Sequence, residues 1–522
     1  MAARAEQPLE PPPGADLIAL LHTRIADFET QVATLQRTLK TVSMERDLYK
    51  ERVAAMQHQL FAAKSEARGT QQRDLFFNEA EALVPSTPQQ HKIDVPAHTR
   101  AQRGRRPLDP ALPREVMRHE LPESERVCPH DGAMLKEIGV EASEQLDIIP
   151  AQVRVIRHER VKYACPCCGQ GVRMASAPLK LLPKALLTEN ALAWVIAAKY
   201  QDALPLYRQA ALLNRFGGDI VRHTLAHNVI RVGQAVQPII NLLRDHLLDA
   251  DLIHGDETEL QVLKEAGRPA TAKSYLWVQM SGSGPPVRLF TYAPSRSTKT
   301  ALALYEGARG ALLTDGYATY AAVAAVNGLT HLGCWAHVRR KFVEAEAVLP
   351  KTAHVAQHPS TQFIAAIGEL YALEAAGREV EPAERARLRQ AQSAPVLARI
   401  EALLLANLHS VLPQSLLGRA LHYLHEQWPK LTRFVDNAAY AIDNNACENA
   451  LRPFVVGRKN WLFSDTVAGA QASANLYSLI ETAKANCLEP YHYLRALFQR
   501  LPTAQTVDDF EALLPWQINL SP

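Results

Sequence analysis

At about 150 residues per domain, 522 residues leave room for three or four domains and exclude a single small binding module. Hydrophobic residues make up 47% and charged residues 21%, so most of the chain can bury a core and wholesale disorder is excluded. The 57 basic and 54 acidic residues leave a net charge of +3, too near zero for the total to name a partner.

The opening MAARAEQPLEPPPG has no basic-then-apolar signal segment, and no run of about 18 apolar residues follows anywhere. A cytoplasmic protein with no membrane span is expected. Residues 15–66 then read as one long helix with two apolar rows. Ile18, Ile25, Val32, Leu39, Val53 and Leu60 share a seven-residue register, and Leu21, Phe28, Leu35, Val42, Tyr49 and Met56 fill a second. A 3.5-residue repeat held this long keeps one seam toward a partner helix, so a coiled coil and self-association are expected. Arg46 breaks the first row and would restrict register or partner at some loss of stability. An amphipathic helix folded back on its own protein is the alternative.

Residues 84–113 are rich in Pro, Gln and Arg with no apolar period, the composition of a linker. Inside it Arg103, Arg105 and Arg106 flank Gly104, and extended arginines of this kind can lie along the minor groove of DNA. On its own the stretch reads equally as a solvated charge run.

Three of the seven cysteines crowd at Cys165, Cys167 and Cys168, which points to metal or reduced thiols and away from a disulfide frame. Within 114–176, strand-like QVRVIRHERVKYAC leads to Cys165-x-x-Cys168 before Gly169, half of a tetrahedral zinc site. At the other end Cys128 is followed by His130 and by Asp131 where a second cysteine is expected. His130 or Asp131 would complete the site; ordinary buried thiols are the alternative.

Residues 184–248 read as consecutive helices broken at Gly217-Gly218, with Asp219 placed to cap the next one. Arg208, Arg215 and Arg222 on short helices suit helix-turn-helix DNA binding, and a plain helical spacer fits the spacing as well.

After 250 the period switches to strands. DLIHGDETELQVL, SYLWVQMSG and PVRLFTYA predict three successive strands, followed by helix, strand ALLTD, helix and strand THLGCW. That order is an α/β layout with a mixed sheet. Asp256 interrupts the first strand and Asp315 ends a buried run before Gly316. If the strands are neighbours, both carboxylates face one pocket suited to Mg²⁺ or Mn²⁺. Otherwise Asp315 ends a strand in a turn and Asp256 bonds locally with Thr258.

Helix CWAHVRRKFVEA opens with Cys334-Trp335 and carries His337, Arg339, Arg340 and Lys341; basic side chains beside a carboxylate pocket suit a polyanionic substrate, and a solvated face fits Arg339 to Lys341 equally well. A helical stretch runs from about 360 to 435. Then AIDNNACENALRPFVVGRKNWLF packs Asp443, Asn444, Asn445, Glu448, Arg452, Arg458 and Lys459 together. Asn445 and Glu448 have the spacing of a capping box, and Pro453 is expected to kink or end that helix.

HGDET, LLTDGYATY, CWAHVRRKF, IDNNACENALRPFVVGRKNWLF and YSLIETAKANCLEPYHYL together resemble the motifs of the insertion-sequence 66 family transposases. These belong to the DDE transposases, whose catalytic fold is RNase-H-like. EQLDIIPAQVRVIRHERVKYACPCC and PLYRQAALLNRFG resemble that family's zinc-binding and helical segments, and the likeness runs from about residue 15 to the end.

The resemblance implies a multidomain α/β and α protein. Its parts are a coiled coil at 15–66, a linker at 84–113, a zinc-finger-like module at 114–176 and a helical DNA-binding region at 184–248. An RNase-H-like mixed-sheet core occupies 249–345 and 436–465, split by a helical insertion at 346–435, with a C-terminal helical segment at 466–522. Asp256, Asp315 and Glu448 are then the DDE triad, holding two Mg²⁺ or Mn²⁺ ions. Arg103, Arg105, Arg106, Arg339, Arg340, Lys341, Asn444, Asn445, Arg452, Arg458 and Lys459 are expected to contact DNA. A structural Zn²⁺ would sit among Cys128, His130, Asp131, Cys165 and Cys168, although the family has two cysteines in the first pair. The implied partners are transposon ends and target DNA, a second copy of the chain, and small accessory proteins of the same element, all at the bacterial nucleoid. Rival readings are a catalytically inactive DNA-binding protein and an RNase-H-fold nuclease that never joins strands. A zinc hydrolase using the cysteine module is a third, disfavoured because a cysteine-rich set without a water position reads as structural.

Overall fold

The computed structural model describes residues 15–61, 114–118, 130, 133–134, 152–163, 173–349 and 357–520, with side chains of the first helix from 21 to 56. That helix, α1, spans Ala15–Phe61. Its apolar rows face outward: Leu21, Ile25, Phe28, Val32, Leu35 and Leu39 are all about half exposed or more. It touches the rest of the chain near its end, where Glu51 Oε1 accepts the Leu416 N–H at 2.7 Å. No helix among the described residues is long and apolar enough to cross a membrane.

In the small module the strand-like stretch forms only a short ladder, β1 (Lys162–Tyr163) paired antiparallel with β2 (Arg173–Met174). Val153, Val155 and Ile156 are exposed, so no buried face extends the pairing. Four helices follow: α2 (Glu189–Tyr200), α3 (Leu206–Arg215), α4 (Arg222–Ala235) and α5 (Gln237–Leu248). Thr188 caps α2 by accepting the Ala191 N–H. The break after α3 falls at Gly217, whose φ of 82° suits glycine. Asp219 does not cap α4; that position belongs to Val221, which makes no side-chain cap bond.

The sheet is built from β3 (Leu252–Lys264), β4 (Lys273–Ser281), β5 (Arg288–Ala293), β6 (Ala311–Leu313) and β7 (Thr330–Leu332), in the order β5-β4-β3-β6-β7. The first three pair antiparallel; β6 joins β3, and β7 joins β6, parallel. Helices α6 (Thr298–Leu304) and α7 (Ala318–Asn327) make the crossovers, each starting where a strand's apolar run ends. A long helix α8 (Trp335–Ala347) leaves the far edge.

The helices from 359 to 431 have a core of their own. They are α9 (Pro359–Ala376), α10 (Pro382–Leu388), α11 (Ala394–Asn407) and α12 (Leu416–Leu431). Phe342 stacks on Phe363 there, and Trp335, Ile367, Ile400 and Leu424 are fully buried beside them. Chain direction then returns to the sheet through α13 (Asn445–Trp461) and β8 (Ser464–Thr466), which pairs parallel with the far end of β3. The last helices are α14 (Val467–Ala485), α15 (Pro490–Arg500) and α16 (Val507–Glu511).

Strand β5 is an edge, and α14 closes it. Phe290 N–H donates to Ser478 Oγ at 2.8 Å and Arg288 N–H to Thr482 Oγ1 at 3.0 Å, so the open ladder is satisfied by helix hydroxyls. On its other side α14 lies so close to α4 that a Cβ on Gly233 would stand 2.5 Å from Ala472 Cβ and 2.6 Å from its Cα. Gly233→Ala is therefore expected to destabilise the fold. The overpacking penalty of about 1–3 kcal/mol outweighs the roughly 1 kcal/mol that alanine gains in helix propensity. A melting midpoint equal to or above that of the parent would show that the two helices can separate freely.

Candidate active site

The position of Asp256 and Asp315 follows from strand register. β6 pairs with β3 from Leu252↔Ala311 to His254↔Leu313 and then stops. Asp256 and Asp315 each lie two residues beyond that last pair. With a period of two, they project from the same face of adjacent strands at one level. Each accepts one local backbone N–H, Asp256 from Glu257 at 2.8 Å and Asp315 from Tyr317 at 2.9 Å.

Where β6 ends, β3 has an open edge until β8 begins at Val262. Helix α13 fills that gap. Asn444, at its N-cap, donates from Nδ2 to Gly255 O at 2.9 Å, and its Oδ1 lies 3.0 Å from His254 Nδ1. Further along, Arg458 donates to Glu259 O. The helix is thus pinned to β3 at both ends, and its first turn carries Glu448 to the two aspartates.

Electrostatics report the convergence. Asp256 has its pKa pushed well up by burial and by the charges of Glu448, Glu257 and Asp315. Glu448 rises from 4.5 to about 7, through burial first, with Asp443 and Asp315 adding to it and Arg340 opposing. A buried acid crowded by other acids favours its neutral form unless a cation intervenes. Glu448 Oε1 is buried without a hydrogen-bond partner. This donor set, all carboxylate oxygens, fits a hard divalent cation.

The raised values have a sign that can be checked. Glu448 binds its proton more tightly folded than unfolded, so its stabilising contribution is complete below about pH 4.5 and is lost as pH rises to about 7. The loss is on the order of 3 kcal/mol at about 1.4 kcal/mol per pKa unit. Magnesium-free protein, without chelator so that the cysteine module is undisturbed, is expected to melt lower at pH 7.5 than at pH 5, and added Mg²⁺ to narrow the difference. A flat pH profile would contradict the crowding.

Several expected DNA contacts sit elsewhere. Asn444 is 1% exposed with both amide atoms engaged inside the fold, so it is a tether for the helix and not a phosphate ligand. Arg339 is 4% exposed and turned inward, unlike a side chain on a DNA-facing surface. Asn445 bonds to both oxygens of Asp443. Arg340 stands 3.6 Å from Glu448 Oε2, and Lys341 lies over the Tyr423 ring. Arg452 holds Asn449 and Arg458 holds β3, leaving Lys459 exposed.

Glu448 forms no capping box: the Asn444 N-cap makes no side-chain cap bond, and the Glu448 carboxylate lies beside His337 and Arg340. Pro453 does not end the helix, which runs on to Trp461. The carbonyl its missing N–H leaves free belongs to exposed Asn449, where solvent can bond it. His130 is exposed, while Cys128, Asp131, Cys165, Cys168, Arg103, Arg105 and Arg106 lie outside the described residues.

Sequence reasoning missed Glu257. It projects from the face opposite Asp256, where Arg296 pairs with it at 2.7 Å and the Tyr320 hydroxyl donates to it. An acid next to Asp256 on a strand buried on both faces was the available signal, since such a charge needs a partner. His337, expected with its basic neighbours beside the carboxylate pocket, has its Nδ1 3.7 Å from Glu448 Oε1.

Comparison with known families matches residues 184–472 to the transposase IS66 family and 125–169 to the zinc-finger binding domain of transposase IS66. Residues 478–516 match the IS66 C-terminal element, and 48–117 match a model described as transposase C of IS166 homeodomain. Two relatives from Sinorhizobium fredii (strain NBRC 101917 / NGR234), uncharacterized proteins y4jD and y4qI, are each 32% identical to this chain. The first aligns over 78% of this chain and 81% of its own length, the second over 79% of each. With more than half of its length inside the principal family model, and that model's segment spanning Asp256, Asp315 and Glu448, the chain belongs to the transposase IS66 family.

Proposed function

We propose that this transposase binds the ends of its insertion sequence and, by a DDE mechanism, cleaves DNA strands and joins them to a target. The observation that carries the reading is the meeting of Asp256, Asp315 and Glu448, whose charges act on one another at the end of β6. The sheet supports an RNase-H-like core: three antiparallel strands, the longest central, followed by two parallel ones.

Two Mg²⁺ or Mn²⁺ ions would be held by the three carboxylates; when bound they supply Lewis-acid activation of the scissile phosphate and of the attacking hydroxyl. Asp256 lies on β3 and Asp315 two residues past the end of β6, so the β3–β6 pairing just before them holds both in place. Glu448 comes from a helix whose placement depends on Asn444. Arg340 beside Glu448 balances its charge and is placed to meet a phosphate oxygen. In the first step water attacks phosphorus and the strand end leaves as a 3′-hydroxyl. In the second that hydroxyl attacks a target phosphodiester, and a target 3′-hydroxyl leaves. Neither step forms a bond to protein, so no serine or tyrosine nucleophile is assigned.

DNA would run along Lys341, Arg452 and Lys459, with the arginines at 103, 105 and 106 extending the contact into the minor groove. The exposed apolar rows of α1 fit a coiled coil between copies, which would bring two ends together. Zinc in the module would use Cys128, Cys165 and Cys168 with His130 or Asp131.

The test is to incubate purified full-length protein with the element's ends, Mn²⁺ and a target plasmid, and to sequence junctions. Joined products are expected. Cutting without joining would make it a nuclease, and end binding with neither would make it an inactive DNA-binding protein.

A further inference from the structure

A second donor set meets the first at Glu448. Cys334 is the fully buried N-cap of α8, His337 sits one turn on, and Glu448 faces both from the first turn of α13. One ligand atom from each, Sγ, an imidazole nitrogen and a carboxylate oxygen, lies within 4.8 Å of the other two. His337 Nδ1 and Glu448 Oε1 are both buried, both lack a hydrogen-bond partner, and stand 3.7 Å apart. That separation is too long for a hydrogen bond. Two ligands on a tetrahedral ion with bonds of roughly 2.1 Å stand roughly 3.4 Å apart, so a small adjustment would place one ion between them.

We propose that Cys334 Sγ, His337 Nδ1 and Glu448 Oε1 form a site for a borderline divalent cation of the zinc or cobalt class. The sulfur and nitrogen donors select such ions, whereas Mg²⁺ prefers oxygen throughout. The site is separate from the cysteine module. Cys334 is now a thiol that accepts the Asn444 N–H at 3.3 Å, and binding the metal releases its proton to solvent. Three protein ligands leave a fourth position open. Because Glu448 is shared, a zinc ion here withdraws it from Asp256 and Asp315; this consequence, unlike the site itself, rests on the DDE reading.

Co²⁺ titrated into the full chain tests the site by absorbance. The cysteine module contributes equally to parent, Cys334→Ser and His337→Gln proteins, so the difference between them is the readout. The parent is expected to bind one more equivalent than either variant, with a thiolate-to-cobalt band that Cys334→Ser lacks. His337→Gln is expected to weaken that equivalent by about 100-fold or more. His337 is partly exposed, so its variant keeps the test decisive if Cys334→Ser misfolds. Equal stoichiometry and spectra in parent and His337→Gln would overturn the proposal. That outcome is independent of whether the protein cuts DNA.

Discussion

Replacing Asp256 with asparagine is expected to lower strand cleavage by about a thousandfold while end binding stays within about twofold. A neutral amide is a poor ligand for a hard cation. The Lewis-acid contribution is worth several kcal/mol, and each 1.4 kcal/mol is tenfold in rate. Asparagine keeps the shape of aspartate and can still accept the Glu257 N–H, so the strand has no reason to move. The same change removes a charge that burial, Glu448, Glu257 and Asp315 all oppose. Magnesium-free Asp256→Asn is therefore expected to melt above the parent at pH 7.5, the usual trade of stability against activity at a catalytic site. Cleavage by the variant at the parental rate would take Asp256 out of the chemistry. Lost cleavage with a lowered melting point would make it a structural residue instead.

What the sequence made legible was whatever has a short period. Alternation and apolar runs located five of the six strands of the main sheet, three-residue β8 being the exception, and the parallel register of β3 and β6 leads to Asp256 and Asp315 at the same level. Glu448 is different: nothing within a few residues of it says that its helix lies on β3, and only resemblance to a family tied it to the pair. Asn444 shows why. Its partners His254 and Gly255 stand about 190 positions away, so a buried tether and an exposed DNA contact look alike in the local pattern. Arg339 was misjudged for the same reason, being one of three consecutive basic residues of which only one faces the core. Pro453 does not end its helix, which continues to Trp461, because the lost hydrogen bond falls on exposed Asn449 and the packing of Phe454 and Val455 holds the helix beyond it.

Arg389→Met is expected to destabilise the protein by about 3–5 kcal/mol, more than any surface change in the same helices. Arg389 is 1% exposed, in a π-helical turn (Arg389–Ser393) between α10 and α11. All five of its N–H groups are used. Nε and Nη2 grip Glu374 at 2.8 and 2.6 Å, Nη1 donates to Phe434 O at 2.6 Å and Asn437 O at 2.7 Å, and Nη2 also reaches Tyr440 O at 2.9 Å. Those carbonyls belong to the segment that leads into Asn444 and so to Glu448. One arginine thereby couples the helical insertion to the placement of the third carboxylate. Lysine cannot replace it, since a single ammonium lacks the planar fork that serves five acceptors. Adding Glu374→Leu to Arg389→Met removes the uncompensated carboxylate but takes a donor from three backbone carbonyls, of which Asn437 O keeps the Tyr440 N–H, so only part of the loss should return. Full recovery in the double variant would confine the role of Arg389 to its ion pair. Partial recovery, with faster proteolysis between 434 and 440 and slower strand cleavage, is the expected result.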